Sequence, residues 1–364
     1  MPKIAEKYQV SHFLVFYLIH SLQFGVGVLG FQRIITKSTG QDAWIPVVLS
    51  GLFSHLMVWM IYKILKGAEG NIHDIHLRIF GKWAGKAINL LISLYFTLLA
   101  VEVLRTYMEI IQVWMFPDIN LWVFSSLFLL LVYYIVSGGF RVVTGICFFG
   151  VVLPSYLIFT FIFPLEFAQW KNLSPVFDHS LMDILSGTKG MALTVLGFEA
   201  LLVYYPFIKK PEKSQIWAHG AIFFTTCIYL LIMIVTLVFF SSEQLQKNIW
   251  ATLTIWKIVE IPFVERFEYI GIANWVLIIL PNVCLVLWCA SRGIKQTFNW
   301  SQKKTLIGII ALTLLAVNLF ETREQINQFN TIVGMTGTYF YLYIPVILIL
   351  QLVAKRMKKQ GGTG

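Results

Sequence analysis

The chain has 364 residues, of which 58% are hydrophobic and only 13% charged, and its mean hydropathy is +0.75. Soluble domains carry roughly 25% charged residues, so this composition excludes a water-soluble globular protein. The net charge of +10 does not point to nucleic acid, because the basic residues sit in short loops between apolar runs rather than along one solvated face.

A crossing helix needs about 20 apolar residues to traverse the hydrocarbon core. Runs of that kind lie near 11–35, 43–65, 85–111, 121–138, 141–163, 188–208, 219–240, 269–291, 305–320 and 332–354. The sequence thus predicts an all-α polytopic membrane protein of about ten transmembrane helices. It forms a single transmembrane domain over 1–360, with halves at about 11–163 and 188–354 and a disordered tail at 361–364. The first run is too long for the apolar core of a signal peptide and is expected to stay in place as a span. Of the 28 lysines and arginines, 19 fall on the side of both termini and 8 on the other, with Arg105 inside a span. Basic residues accumulate on the cytoplasmic side, so both termini are expected in the cytoplasm. An even number of spans keeps that alternation, whereas nine or eleven would break it.

The first span carries Gly25, Gly27 and Gly30 near its middle, which weakens the helix there. Unwound backbone at that depth must be buried in protein or line a cavity, where it can bind a polar ligand. Glycines also let a second helix approach closely, and both readings fit the first span alone. The sixth span has a matching weak point in Gly190 and in Gly197-Phe198-Glu199. Breaks at corresponding places in two halves are the sequence pointer to a binding site between inverted repeats.

Span three carries Glu102, Arg105 and Glu109 on one helix face. Each costs about 2.5 to 3.5 kcal/mol at mid-membrane depth, so they are expected to face the bundle. Two readings remain open: an internal ion pair with Arg105 between two carboxylates, or recognition of a charged ligand or proton. Span eight contributes Asn274, Pro281, Asn282 and Ser291, and a proline there frees a backbone carbonyl. The outer loop 241–268 alternates apolar residues, including Trp250 and Trp256, with charges. It reads as an interfacial helix or as a lid over an outward-facing cavity. His73 and His76 read as solvated residues of a basic cytoplasmic loop. All four cysteines, Cys147, Cys227, Cys284 and Cys289, lie in apolar spans and read as buried thiols without metal-ligand spacing. No catalytic constellation, nucleotide loop, metal site or cofactor motif is visible, so the chain is not expected to be an enzyme.

The run Gly25-Val-Gly27-Val-Leu-Gly30-Phe-Gln32-Arg33 with Trp44-Ile45 resembles the first span of spore germination permeases, the B subunits of bacterial spore germinant receptors. Thr252-Leu253 through Ile261-Pro262-Phe263-Val264-Glu265-Arg266-Phe267-Glu268 is similar to their stretch before span eight. Gly197-Phe198-Glu199 resembles the span-six motif of the wider amino acid, polyamine and organocation transporter superfamily. The resemblance implies a five-plus-five inverted repeat with broken helices one and six and a ligand cavity lined by spans one, three, six and eight. It also implies residence in the spore inner membrane and two partners, a larger membrane A subunit and a lipoprotein C subunit. Two departures stand out. Gln32 replaces a common proline, and span five holds Arg141 but no lysine of the kind some proton-coupled relatives use.

The expected function is therefore a germinant-receptor subunit that binds a small polar nutrient, represented by an amino acid, and triggers germination. Amides around Gly25, Gly27 and Gly30 would hold a carboxylate, and carbonyls around Gly197, Phe198 and Glu199 an ammonium. Ala100, Val101, Glu102, Arg105, Asn282 and Leu285 would complete the site. The alternatives are an ion-coupled or facilitative amino-acid transporter and a scaffold with a vestigial cavity.

Overall fold

The computed structural model describes residues 4–66, 70–262 and 264–360, with backbone alone at 192, 193 and 355–360. The tail at 361–364 and Phe263 of the outer-loop motif lie outside the described residues. Extended pairing among the described residues is limited to two isolated bridges, Val10 beside Ile208 and Ile261 beside Val264. Among the described residues, six helical stretches are long and apolar enough to cross a membrane: Phe31–Leu65, Ile72–Trp114, Phe140–Phe167, Pro211–Phe239, Phe267–Phe298 and Arg323–Ala354. The remaining crossings are interrupted or short.

The first crossing is split into α1 (Val15–Gln23), a tight 3-10 turn at Val26–Leu29, and α2 (Phe31–Thr39). Its glycines serve close approach rather than left-handed backbone. A Cβ on Gly27 would lie 2.8 Å from the Thr194 hydroxyl, and one on Gly30 would lie 2.6 Å from the Ile249 carbonyl. The chain turns at Gly40 into α3 (Trp44–Leu65).

Helix α4 (Ile72–Trp114) is 43 residues long because it joins the third span to a preceding helical segment, with a kink at Gly81 (φ +75°). The kink folds His73 and His76 inward. Contrary to their reading as solvated loop residues, both are buried. Asn89 Oδ1 bonds His73 Nδ1 at 3.0 Å and His76 Nδ1 at 2.6 Å, and Tyr343 holds the far nitrogen of His76. Their i, i+3 spacing matched a helix face, but the covering residues come from elsewhere in the chain.

Next come α5 (Leu121–Ser137) and α6 (Phe140–Val152), the latter continuing as 3-10 helix over Leu153–Phe167 between Pro154 and Pro164. The sixth crossing is the second broken one. It consists of α7 (Leu181–Gly190), α8 (Ala192–Val195), a 3-10 turn at Phe198–Ala200 and α9 (Leu201–Tyr204). Helix α10 (Gln215–Phe239) follows, with Cys227 exposed on its surface rather than buried like the other three cysteines. The outer segment forms two short helices, α11 (Ser242–Lys247) and α12 (Ala251–Trp256). The chain ends with α13 (Phe267–Phe298), α14 (Gln302–Val317), α15 (Arg323–Thr338) and α16 (Phe340–Gln360). Helices α4 and α13 pack against each other at the centre of one continuous apolar core.

Breaking a helix inside a membrane leaves polar backbone groups that water cannot satisfy. Side chains do so here. In span one, Asn282 Nδ2 donates to the Ser21 carbonyl at 2.8 Å, the Tyr229 hydroxyl to Gln23 O at 2.9 Å, and the Thr252 hydroxyl to Val28 O at 2.9 Å. In span six, Gln23 Nε2 donates to Val195 O at 2.6 Å. The Gly197 amide donates to Glu199 Oε2 at 2.7 Å, and the Tyr95 hydroxyl donates to Glu199 Oε1 at 2.8 Å. Outside the break, Val10 N donates to Phe207 O and Lys209 N to Val10 O, which ties the start of span one to the end of span six.

Gly197 adopts φ +118°, and a Cβ there would lie 2.4 Å from that of Leu22. Gly197→Ala is therefore expected to destabilise the protein by at least about 1–3 kcal/mol from backbone strain alone, read as a lower melting temperature in detergent. Glu199→Leu orphans the Gly197 amide and the Tyr95 hydroxyl, each costing roughly 1–3 kcal/mol. Glu199→Gln, which retains one acceptor oxygen, is expected to melt between Glu199→Leu and the parent.

Candidate functional site

A cavity of about 800 Å³ opens beside the break in span one. Gly25, Gly27 and Gly30 form one wall, Thr194 and Gly190 of span six a second, and Glu102, Val103 and Thr106 of α4 a third. Asn282 of α13 reaches the same space, and Ile249 and Trp250 of the outer segment form its cover. The last wall is α15, through Arg323, Asn327, Asn330, Thr331, Gly334 and Thr338.

The cover is fastened to the break itself. Thr252, which caps Val28, also accepts from Gln32 Nε2 at 2.8 Å. Gln32 is fully buried and so does at this position what proline, lacking a side-chain donor, cannot. Arg33 Nε donates to Gln246 O at 2.7 Å. On the opposite side, Arg323 stacks over the Trp250 ring at 5.0 Å and pairs with Glu109 at 2.5 Å. Of the two readings of the outer loop, the geometry matches a lid.

Of the twelve residues expected to form the site, five line the cavity, namely Gly25, Gly27, Gly30, Glu102 and Asn282. Ala100, Val101, Phe198 and Leu285 are buried in the apolar core and do not line it. Gly197 and Glu199 build the break in span six as described, with Glu199 fully buried. Arg105 donates from Nε to the Phe320 carbonyl at 3.0 Å.

The charges of span three do not form the internal triad. Glu109 takes its partner from α15 instead, and Arg105 turns to the end of α14. The i, i+3, i+7 spacing put all three on one face but said nothing about which neighbour met each. Glu102 consequently has no hydrogen bond or ion pair among the described residues, although it is only 4% exposed.

Sequence reasoning missed α15, because a run starting at 332 left Arg323 to Thr331 in an outer loop. The legible signal was Thr322 followed by Gln325, a capping box that starts the helix at Arg323. Of the polar residues that lowered its hydropathy, Arg323, Asn327, Asn330, Thr331 and Thr338 line the cavity, while Glu324, Gln325 and Gln328 are exposed elsewhere on the helix. Lys37 and Lys189 were counted only for topology, yet both stand exposed at the cavity mouth with Arg33.

A family model described as spore germination protein matches residues 9–326. Spore germination protein GerQB of Bacillus cereus is 47% identical over 360 residues, covering 99% of this chain and 100% of its own. Spore germination protein YndE of Bacillus subtilis is 23% identical, over 94% of this chain and 95% of its own. Among solved structures, MhsT in complex with L-phenylalanine matches with a TM-score of 0.66 at 16% identity, over 94% of this chain and 88% of MhsT. That likeness shows the fold, an all-α polytopic membrane protein of about ten helices in a five-plus-five inverted repeat with helices one and six broken. With its span-one glycines, its broken helices and its full-length match to GerQB, the chain belongs to the spore germination protein family of permease-type membrane proteins.

Proposed function

We propose that the chain is the permease-like subunit of a spore germinant receptor that senses a small polar nutrient, with an amino acid as its representative ligand. The observation that carries this reading is the cavity at the paired helix breaks. It is large enough for such a molecule, polar on several walls and partly covered by Ile249 and Trp250 of the fastened lid. MhsT, of the same fold, is described with L-phenylalanine bound. In this reading the receptor sits in the spore inner membrane with both termini in the cytoplasm, and it signals to A and C partner subunits. A ligand that binds one lid position better than the other shifts the population between them.

A secondary transporter is the second reading. Transporters of this architecture coordinate coupling cations with carbonyls of the unwound segments. Here Ser21 O, Gln23 O and Val28 O already accept from Asn282, Tyr229 and Thr252. That arrangement favours a sensor over an ion-coupled carrier.

Purified protein in liposomes, offered a labelled amino-acid panel alongside thermal-shift binding, is expected to gain stability with at least one member and to show no concentrative uptake. Uptake driven by a proton or sodium gradient would establish the transporter reading instead. Thr331→Trp, at an exposed wall position of the cavity, is expected to abolish the ligand-induced shift and leave the ligand-free melting temperature within about 2 °C, corresponding to less than about 1 kcal/mol.

A further inference from the structure

We propose that Glu102 is the anchor for the ligand's cationic group, so that the cavity selects molecules carrying a primary ammonium and holds that ammonium against α4. This inference rests on the sensor reading and assigns one end of its ligand.

Three observations carry it. Glu102 lines the cavity, is only 4% exposed, and has no hydrogen-bond or ion-pair partner among the described residues. Its neighbours on the same helix are engaged elsewhere, Arg105 with Phe320 and Glu109 with Arg323. A lone carboxylate at membrane depth is costly, and an ammonium placed beside it removes much of that cost.

The second observation concerns span six, where an ammonium would otherwise be expected. Val195 O already accepts from Gln23 Nε2 at 2.6 Å, and Gly197 O accepts from Ala200 N at 3.2 Å. Each of those carbonyls already has one lone pair engaged and so competes less well for an ammonium, and the Glu199 carboxylate is held by the Gly197 amide and Tyr95. Glu102 is the carboxylate that reaches the cavity unoccupied.

The third is the distribution of charge along the cavity. Its mouth carries Arg33, Lys37 and Lys189, all exposed, and Arg323 beneath the lid, while its buried wall carries Glu102. A zwitterion entering that field orients with its carboxylate toward the basic mouth and its ammonium inward. The same field leaves a hydroxy acid without an inner partner.

The test compares L-alanine, L-leucine and L-phenylalanine with L-lactate, L-leucic acid and L-phenyllactate, which exchange the ammonium for a hydroxyl. Binding is read by thermal shift and by isothermal titration on the full chain in nanodiscs. The parent protein is expected to bind at least one amino acid ten-fold or more tighter than its hydroxy-acid counterpart. Glu102→Gln is expected to weaken the amino acid at least ten-fold and the hydroxy acid less than two-fold, with Glu102→Asp recovering part of the loss. Melting temperatures of the ligand-free variants report folding separately. Equal amino-acid affinity in the parent and Glu102→Gln overturns the assignment while the sensor reading stands. A shift produced only by sodium or potassium chloride, and lost in Glu102→Gln, overturns it in favour of an inorganic cation. A parent protein that responds to none of the amino acids overturns the sensor reading itself.

Discussion

A helix interrupted inside a bilayer must find partners for its own backbone, and in this protein those partners come from the opposite half of the fold. Span one is capped by Asn282, Tyr229 and Thr252, from α13, α10 and the lid. Span six is capped in part by Gln23, from the first break itself, and by its own Glu199 held through Tyr95 of α4. Each net hydrogen bond is worth only about 0.5–1.5 kcal/mol in water, but the alternative inside a membrane is an unsatisfied amide or carbonyl costing several. The two breaks therefore exist only together. Gly27 against Thr194 brings them into contact, so the paired glycine signal in the two spans reflects one junction rather than two independent weak points.

The same rule governs the charges. Four ionisable side chains meet near the outer half of α4, and two of them make one pair, Glu109 with Arg323. Arg105 is satisfied in part by a carbonyl, that of Phe320. This leaves Glu102 at the cavity wall without a hydrogen-bond or ion-pair partner among the described residues. The structural contacts thus account for Arg105, Glu109 and Arg323 but not for Glu102.

Much of this was legible in the sequence, for reasons that differ by element. The spans are legible because the hydrocarbon thickness sets a length that composition alone reveals. The breaks are legible because glycine clusters and Gly197-Phe198-Glu199 carry a backbone signal within each span. The partners were not. Local spacing placed Glu102, Arg105 and Glu109 on one face but could not supply Arg323, 214 positions away from Glu109. It placed His73 and His76 in a basic segment but could not supply Asn89 and Tyr343. Helix α15 was shortened because a helix whose polar face lines a cavity scores as loop in a scan built for lipid-facing helices. Ala100, Val101 and Leu285 illustrate the converse, since positions adjacent to a site along the helix point into the core when the helix turns by 100° per residue.

The lid ties the span-one break to α15. Trp250 sits over Gly30, Thr252 holds Val28 and Gln32, and Arg323 touches both Trp250 and Glu109. Residues that contact the cavity are thus also the residues that fasten its cover. The span-one break packs directly against α4, and α15 and the lid add a second connection between them. Those contacts run through the same residues, so a displacement of α15 would load both the Arg323–Glu109 pair and the stacking on Trp250.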